Sequence, residues 1–440
     1  MDTTKPLHIM FVTGEYPPMP GGVGAYTHEL AKALRSLGVQ VTILTAEAAC
    51  DPETAVHCGG CRVLPVVRHW GWSVWRLAAN LAQEARCDWL HVQYQTAAFG
   101  MHPAINLAPS YWQRQGFHVA WTYHDLLVPY LFPKAGKRLR TWITERPAHT
   151  AGLPIVTNEA DRLRLAAHGV AAACIPIGSN IVSRHLSPDE RNAWRREHGY
   201  GPGDLVLGYF GFLNRSKGGL TLVKALQRVV REREDARLLM IGEQVGASDV
   251  TNNAYRGEVQ ALIAGLGLEQ RVQWTGNLAD AEVAAALNAC DVLLMPYLDG
   301  ASLRRGTLMA GLANGCAIVT TTPQGPLPEL VDGRDRIYVA PEDERALANA
   351  ALRIARDATL ATRLRANARQ RSKLFAWDAI AREHAACYAD PSGCLDPSRH
   401  ANPPRPVDDL AYESTSNAVT HYPEGRTAGV TARTTGEDLA

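Results

Sequence analysis

At 440 residues, 46% hydrophobic and 20% charged with a formal net charge of +1, the chain has the make-up of a soluble protein too long for one core, so two domains are expected. The near-neutral balance excludes a dedicated nucleic-acid binder, which carries a strong basic excess, and no apolar run reaches the length of a membrane span. The amino terminus lacks a signal-peptide pattern, and the nine cysteines, set mostly in apolar segments such as ALNACDVLLM, read as reduced core thiols, so a cytoplasmic location is expected.

Lys5 to Thr45 reads strand, loop, helix, strand: an apolar HIMFV run, the loop Thr13 to Gly24, a helix with Leu30, Ala33, Leu34 and Leu37 on one face, then VQVTIL. The loop does not have dinucleotide-turn spacing, because a proline-rich stretch separates the strand from Gly21 and Gly22. Those glycines instead let backbone approach a ligand closely. Cys58 and Cys61, with Cys50 and His57 nearby, lack the partner pair that a metal site needs and read as incidental loop thiols. Residues 68 to 95 give an aromatic-rich helix and a buried strand ending at Gln93. The tryptophans read either as core or, with Arg68 and Arg76, as a membrane-facing surface. Phe117 to Thr122 is a strand ending in Tyr123-His124-Asp125, a His-Asp pair placed for hydrogen-bonding or acid/base work. The basic run from Lys134 to Trp142 reads as a solvated face or an anionic-surface contact. Strands at Ile155 to Thr157 and Ala172 to Ile175, with a helix opened by Asn158-Glu159, complete an amino-terminal domain over residues 1–182.

Residues 183–203 rise in charge, proline and glycine and are expected to be a linker. The pattern then restarts over 204–374. After the strand Leu205 to Phe210 comes a turn carrying Arg215 and Lys217 before Gly218, a candidate anion site. A strand at Val272 to Thr275 reaches Gly276 and Asn277. The stretch Asp291 to Thr321 is one complete unit of a parallel sheet: strand Val292 to Met295, a loop with Ser302, Arg304 and Arg305, a helix starting near Gly306 and Thr307, the stop Asn314-Gly315, and the strand Ile318 to Thr321. Its loop lies where a parallel sheet binds ligands and where a helix start attracts anions. A last helix over 375–389 follows, and from Asp390 to Ala440 the chain offers little to bury and reads as a disordered tail.

These pieces in order, FVTGEYPPMPGGVGAYTHELAKAL, the YHD, GYFGFLNRSKGGLTLVKAL, VQWTGNLADAEVAAALNACDVLLMPY and LMAGLANGCAIVTT, resemble the GT-B glycosyltransferases, in particular the retaining family 4, group 1 type. The resemblance covers about residues 5 to 390. It implies an α/β fold of two Rossmann-like parallel-sheet domains facing a cleft, the 375–389 helix packing back on the first domain, and transfer of a sugar from a nucleotide-diphosphate donor to a glycan, lipid-linked or small-molecule acceptor with retention. No cofactor and no obligatory metal are implied, and peripheral contact with the inner membrane face is a further expectation. Lys217 matches the family's lysine. Phe212 stands where an arginine is usual, which makes Arg215 the expected substitute. His124 matches a histidine near the transferred sugar, and Gly21 and Gly22 match the loop that approaches the donor. Gly276, Ser302, Arg304, Arg305, Gly306 and Thr307 complete the expected donor site. The departure is that Ser302 and Ala310 occupy the positions of two family glutamates, which keeps open a catalytically silent binding protein or, less readily, a sugar-nucleotide epimerase on the same fold.

Overall fold

The computed structural model describes residues 6–19, 21–49, 57–58, 60–128, 136–181, 183–242 and 250–396. Runs of apolar residues buried on both faces set its two sheets, as covered parallel strands require. The first contains β1 (His8–Thr13), β2 (Gln40–Ala46), β3 (His57–Cys58), β4 (Cys61–Val67), β5 (Trp89–Tyr94), β6 (His118–Tyr123), β7 (Leu153–Val156) and β8 (Ala173–Cys174). Their order is β3-β4-β2-β1-β5-β6-β7-β8, parallel apart from the β3–β4 hairpin. The second contains β9 (Leu205–Phe210), β10 (Ala236–Ile241), β11 (Val272–Trp274), β12 (Val292–Met295), β13 (Ile318–Thr321) and β14 (Ile337–Val339), ordered β11-β10-β9-β12-β13-β14. In each sheet the chain builds outward on one side of its first strand and then returns to the other. The loops leaving β1 and β5, and those leaving β9 and β12, therefore diverge and open a crevice at the carboxyl ends.

Helices α1 (Gly22–Ser36), α2 (Val74–Glu84), α3 (Ala104–Arg114), α4 (Lys137–Thr150) and α5 (Glu159–Ala167) belong to the first sheet. Helix α1 starts at Gly22, so two of the loop glycines are helical. Leu30 and Leu34 are buried as expected, whereas Leu37 is the helix C-cap and is exposed. Of the tryptophans, Trp75 donates its indole N–H to the Ala104 carbonyl at 2.8 Å, while Trp72 is exposed. Of the basic run, Lys134 and Ala135 lie outside the described residues, as does Cys50. Trp142, on α4, is exposed beneath Arg146.

The expected linker 183–203 contains a helix, α6 (Pro188–Glu197), because Ser187 and Glu190 form a reciprocal capping box with Pro188 in the first turn. Helices α7 (Gly219–Glu232), α8 (Val250–Gly265), α9 (Asp280–Ala289), α10 (Gly306–Ala313), α11 (Glu344–Arg356) and α12 (Ala358–Ser372) cover the second sheet. Helix α13 (Trp377–Ala389) then sits on the first domain: Ile380, Ala381 and Tyr388 share a core with Phe11, Leu30 and Trp89. The Trp377 indole donates to the Ser179 carbonyl at 2.8 Å.

Order continues past Asp390 into a short helix, α14 (Pro391–Cys394). Cys394 is disulfide-bonded to Cys387, which corrects the expectation of reduced thiols at that pair: the two cysteines lie one helical turn and a bend apart, close enough to bridge. The rest of the expected tail, 397–440, lies outside the described residues. Among the described residues no helix is long and apolar enough to cross a membrane.

Candidate active site

The turn after β9 and the loop after β12 meet at the second sheet's switch point. Gly211 leaves β9 with φ +111°, and a Cβ built there would stand 2.7 Å from Thr307 Cγ2 and 2.8 Å from Lys217 Nζ. Only glycine fits, both for its backbone angle and because the Lys217 ammonium and the first turn of α10 close in on it. Lys217 is carried on a short 3-10 turn, Arg215–Lys217, whose start is capped by Asn214 accepting from the Lys217 N–H. Thr307 is fixed by its hydroxyl contact with Tyr297 Oη at 2.8 Å. No side chain caps α10, so its first amides remain directed at whatever lies beside Lys217, and the helix dipole favours an anion there.

Two arginines exchange the roles expected of them. Arg305 joins the cluster: its guanidinium lies 4.2 Å from the Tyr297 ring centroid and pairs with Asp299. The Lys217 ammonium is pushed down to about 8 by burial and, second, by the Arg305 charge. Arg215 does not join. It forks onto Glu258 of α8 at 2.7 and 3.0 Å and stacks 5.1 Å from the centre of the Tyr255 ring, so its charge is already answered on the outer face. The second cation of this site therefore comes from the β12–α10 loop.

Arg304 points elsewhere again, across to the first domain, with Nη1 3.6 Å from Asp161 Oδ2 on α5. Ser302 is occupied locally, its hydroxyl accepting the Arg304 N–H at 3.3 Å. Ala310 is fully buried, so its position offers neither a carboxylate nor open surface. Gly276 lies beyond β11, bridged to Gly242 at the end of β10, on the side of the cluster away from Arg305.

In the first domain, the α1 amino terminus is already satisfied. The Glu15 carboxylate accepts from the Val23 and Gly24 N–H groups at 2.9 and 3.1 Å, and a Cβ on Gly21 would strike that carboxylate. Gly22 has open space around its Cα. His124 follows β6, half-buried, with Nε2 3.0 Å from Gln93 Oε1 and its ring 4.6 Å from that of Tyr26. Loss of hydration holds its imidazole down at about 3, so at neutral pH it is an uncharged hydrogen-bonding group. Behind it run His91, bonded to Thr122 and Tyr388 at 2.8 and 2.6 Å, and His384, bonded to Tyr26 at 3.0 Å.

Sequence reading missed Glu15, Gly211, Tyr297 and Asp299. Tyr297 and Asp299 follow β12 directly and could have been suspected from place alone. Glu15 gave no signal, since nothing in its spacing says that the chain turns it back onto α1. Among the described residues no group of three or more His, Cys, Asp or Glu side chains could hold a metal.

Two parallel-sheet domains, each with a crevice at the carboxyl ends of its strands, are the architecture of the GT-B fold. The chain belongs to glycosyltransferase family 4: residues 20–183 match the family described as Glycosyltransferase Family 4 and residues 204–357 match Glycosyl transferases group 1. Among its relatives are the phosphatidyl-myo-inositol mannosyltransferase of Mycobacterium leprae, 27% identical over 84% of this chain and 93% of that one, and the D-inositol 3-phosphate glycosyltransferase of Pseudarthrobacter chlorophenolicus, 25% identical over 72% and 78%. The crystal structure of Anabaena HepE in complex with UDP shares the fold, with a TM-score of 0.68 and 18% identity, covering 87% of this chain and 99% of that one.

Proposed function

We propose that this glycosyltransferase takes its sugar from a nucleotide-diphosphate donor held at the Lys217, Arg305 and α10 cluster, and passes it to an acceptor hydroxyl presented by the first domain beside His124. The convergence of Lys217 Nζ and Thr307 on Gly211 carries this reading. In the transfer, the bond from the anomeric carbon to the diphosphate oxygen breaks, its electron pair leaving with the diphosphate, while the acceptor oxygen bonds to that carbon and gives up its proton. Fixed cations and amides aimed at the departing charge are the strongest lever available to such a site. An imidazole held at about 3 takes up protons poorly, so the departing diphosphate oxygen is the better receiver. His124 then serves as a neutral hydrogen-bond partner of the sugar. Retention of configuration and independence from metal are part of this proposal, and the resemblance to the family supports them.

The names of the two relatives share an inositol ring, which puts inositol phosphates and phosphatidylinositol on the list of acceptors. Exposed Trp72 and Trp142 support contact with a lipid surface. The test is a panel of nucleotide sugars and acceptors read by nucleoside diphosphate release, with phosphatidylinositol vesicles as one acceptor and their co-sedimentation with the protein as a second readout. Release is expected with at least one donor, falling about 100- to 1,000-fold in Lys217→Ala. A complete absence of release, with no thermal shift on adding UDP, GDP or ADP, would discard the reading. Ser302 and Ala310 favour the second reading, a silent binding protein. The missing carboxylate contacts are worth about 1.5–3 kcal/mol each, which weakens a donor site without abolishing it, and release in the panel excludes silence.

A further inference from the structure

At the amino ends of β9 and β12, on the opposite side of the second domain from Lys217, lies a cavity of about 550 Å³, within the roughly 300–1,000 Å³ of small-molecule sites. Its polar wall sets four arginines, Arg191, Arg195, Arg233 and Arg365, against two aspartates, Asp204 and Asp291. Part of this charge is structural. Arg191 and Arg195 each place Nη2 2.6 Å from an Asp291 carboxylate oxygen, and their Nε atoms donate to the Asn288 and Ala289 carbonyls. Arg365 Nη2 donates to the Cys290 and Asp291 carbonyls at 2.7 and 2.9 Å. A helix carboxyl end does attract cations, but the end of α9 and one carboxylate do not balance three guanidiniums.

What those contacts leave over points to a ligand. Among the described residues, Arg191 Nη1, Arg365 Nε and Nη1, and Arg233 Nη1 donate to no protein acceptor. Arg233 spends only Nε and Nη2, on Asp235. Arg365 is held below the ordinary guanidinium value by burial, with repulsion from Arg191 a further cause, and an anion reaching these edges would relieve both. Guanidinium forks match the oxygens of a phosphoryl group and its double charge better than a single carboxylate. We propose that this cavity binds a small phosphate ester, its phosphoryl group held by Arg191, Arg233 and Arg365 and its neutral part lying along Ile354, Ala355 and Ala358. The six residues of β9, at ~3.3 Å each, set it about 20 Å from the donor cluster, so the two sites can be filled together.

Calorimetry on the full chain carrying Lys217→Ala, which disables the donor cluster, separates this site from the first. Glucose 6-phosphate is expected to bind saturably and more tightly than inorganic phosphate, glucose not at all, and added salt to weaken both. Arg233→Gln should reduce affinity about tenfold, and Arg233→Lys less. Because, among the described residues, the Arg233 side chain bonds only Asp235, this variant leaves the α9 contacts intact; Arg365→Gln, confirmed as folded by circular dichroism, should act in the same direction. Failure of the ester to bind, inorganic phosphate binding more tightly than the ester, or affinity unchanged in Arg233→Gln and folded Arg365→Gln would each overturn the proposal.

Discussion

Burial and the neighbouring Arg305 charge make the Lys217 charge hard to hold, and that opposition can be read in a pH profile. The Lys217 ammonium sits at about 8 against an ordinary 10.5, through burial first and Arg305 second. A lysine depressed by folding penalises the folded state while it is charged. The penalty is complete below about pH 8 and fades as pH rises from there towards 10.5. Donor binding runs the other way, because the diphosphate needs the ammonium: kcat/KM should decline as pH rises through about 8. Arg305→Gln separates the two effects of its charge. It should lower kcat/KM about tenfold or more, by removing a charge-assisted contact, yet move the alkaline midpoint upward, because Lys217 loses its neighbour's repulsion. Arg215→Gln, whose guanidinium is taken by Glu258, should leave both nearly unchanged. Steady-state profiles of the three enzymes check this, and an unmoved midpoint in Arg305→Gln would separate the two cations.

Helix α1 shows how one element can be legible in outline and hidden in detail. Its apolar stripe and the strand before it follow from the sequence, but the anion at its amino end is the chain's own Glu15. Gly21 has an extended backbone, φ 173°, which alanine also adopts, so the requirement for glycine is the carboxylate beside it. Gly21→Ala should therefore displace Glu15 and remove the cap, costing about 0.5–2 kcal/mol in urea unfolding, while Gly22→Ala, with open space, should cost less. Equal losses would mean the carboxylate is not what Gly21 makes room for. The same contrast runs through the whole chain. The two strands of the 291–321 unit and the end of its helix were readable to the residue, because buried parallel strands and a helix stop leave local marks. Local signals also stand behind α6, whose Ser187–Glu190 box lay unread inside the expected linker. What sequence could not give was direction: Arg215, Arg304 and Arg305 are alike in type and all sit in loops after strands, yet Glu258 on α8 and Asp161 on α5 are brought to the first two by tertiary packing, while Arg305 pairs with Asp299 of its own loop.

At the scale of the molecule, the β12–α10 loop is tied to the first domain as well as to the Lys217 cluster. Arg305 and Arg304 are adjacent, yet one serves the anion cluster and the other reaches Asp161, near Asp125, whose carboxyl burial pushes up and the Arg304 charge draws down. Asp161 is itself held at the start of α5 by the Asn158 amide at 2.7 Å, so the first domain presents a fixed carboxylate and the second a partly exposed cation. The chain returns to the first domain through α13, which packs into that domain's core, whereas the Arg304–Asp161 pair is a contact that opening of the cleft would break. Arg304 is 39% exposed against 9% for Asp161, so water screens the pair and its worth is about 0.2–1 kcal/mol. A double-mutant cycle of Arg304→Ala and Asp161→Asn, followed by urea unfolding, should return a coupling of that size that shrinks with added salt. The donor KM should rise in each single variant and rise no further in the double, since the second change has no partner left to remove. Strictly additive effects on KM would show that the two residues act apart and that closure does not depend on their contact.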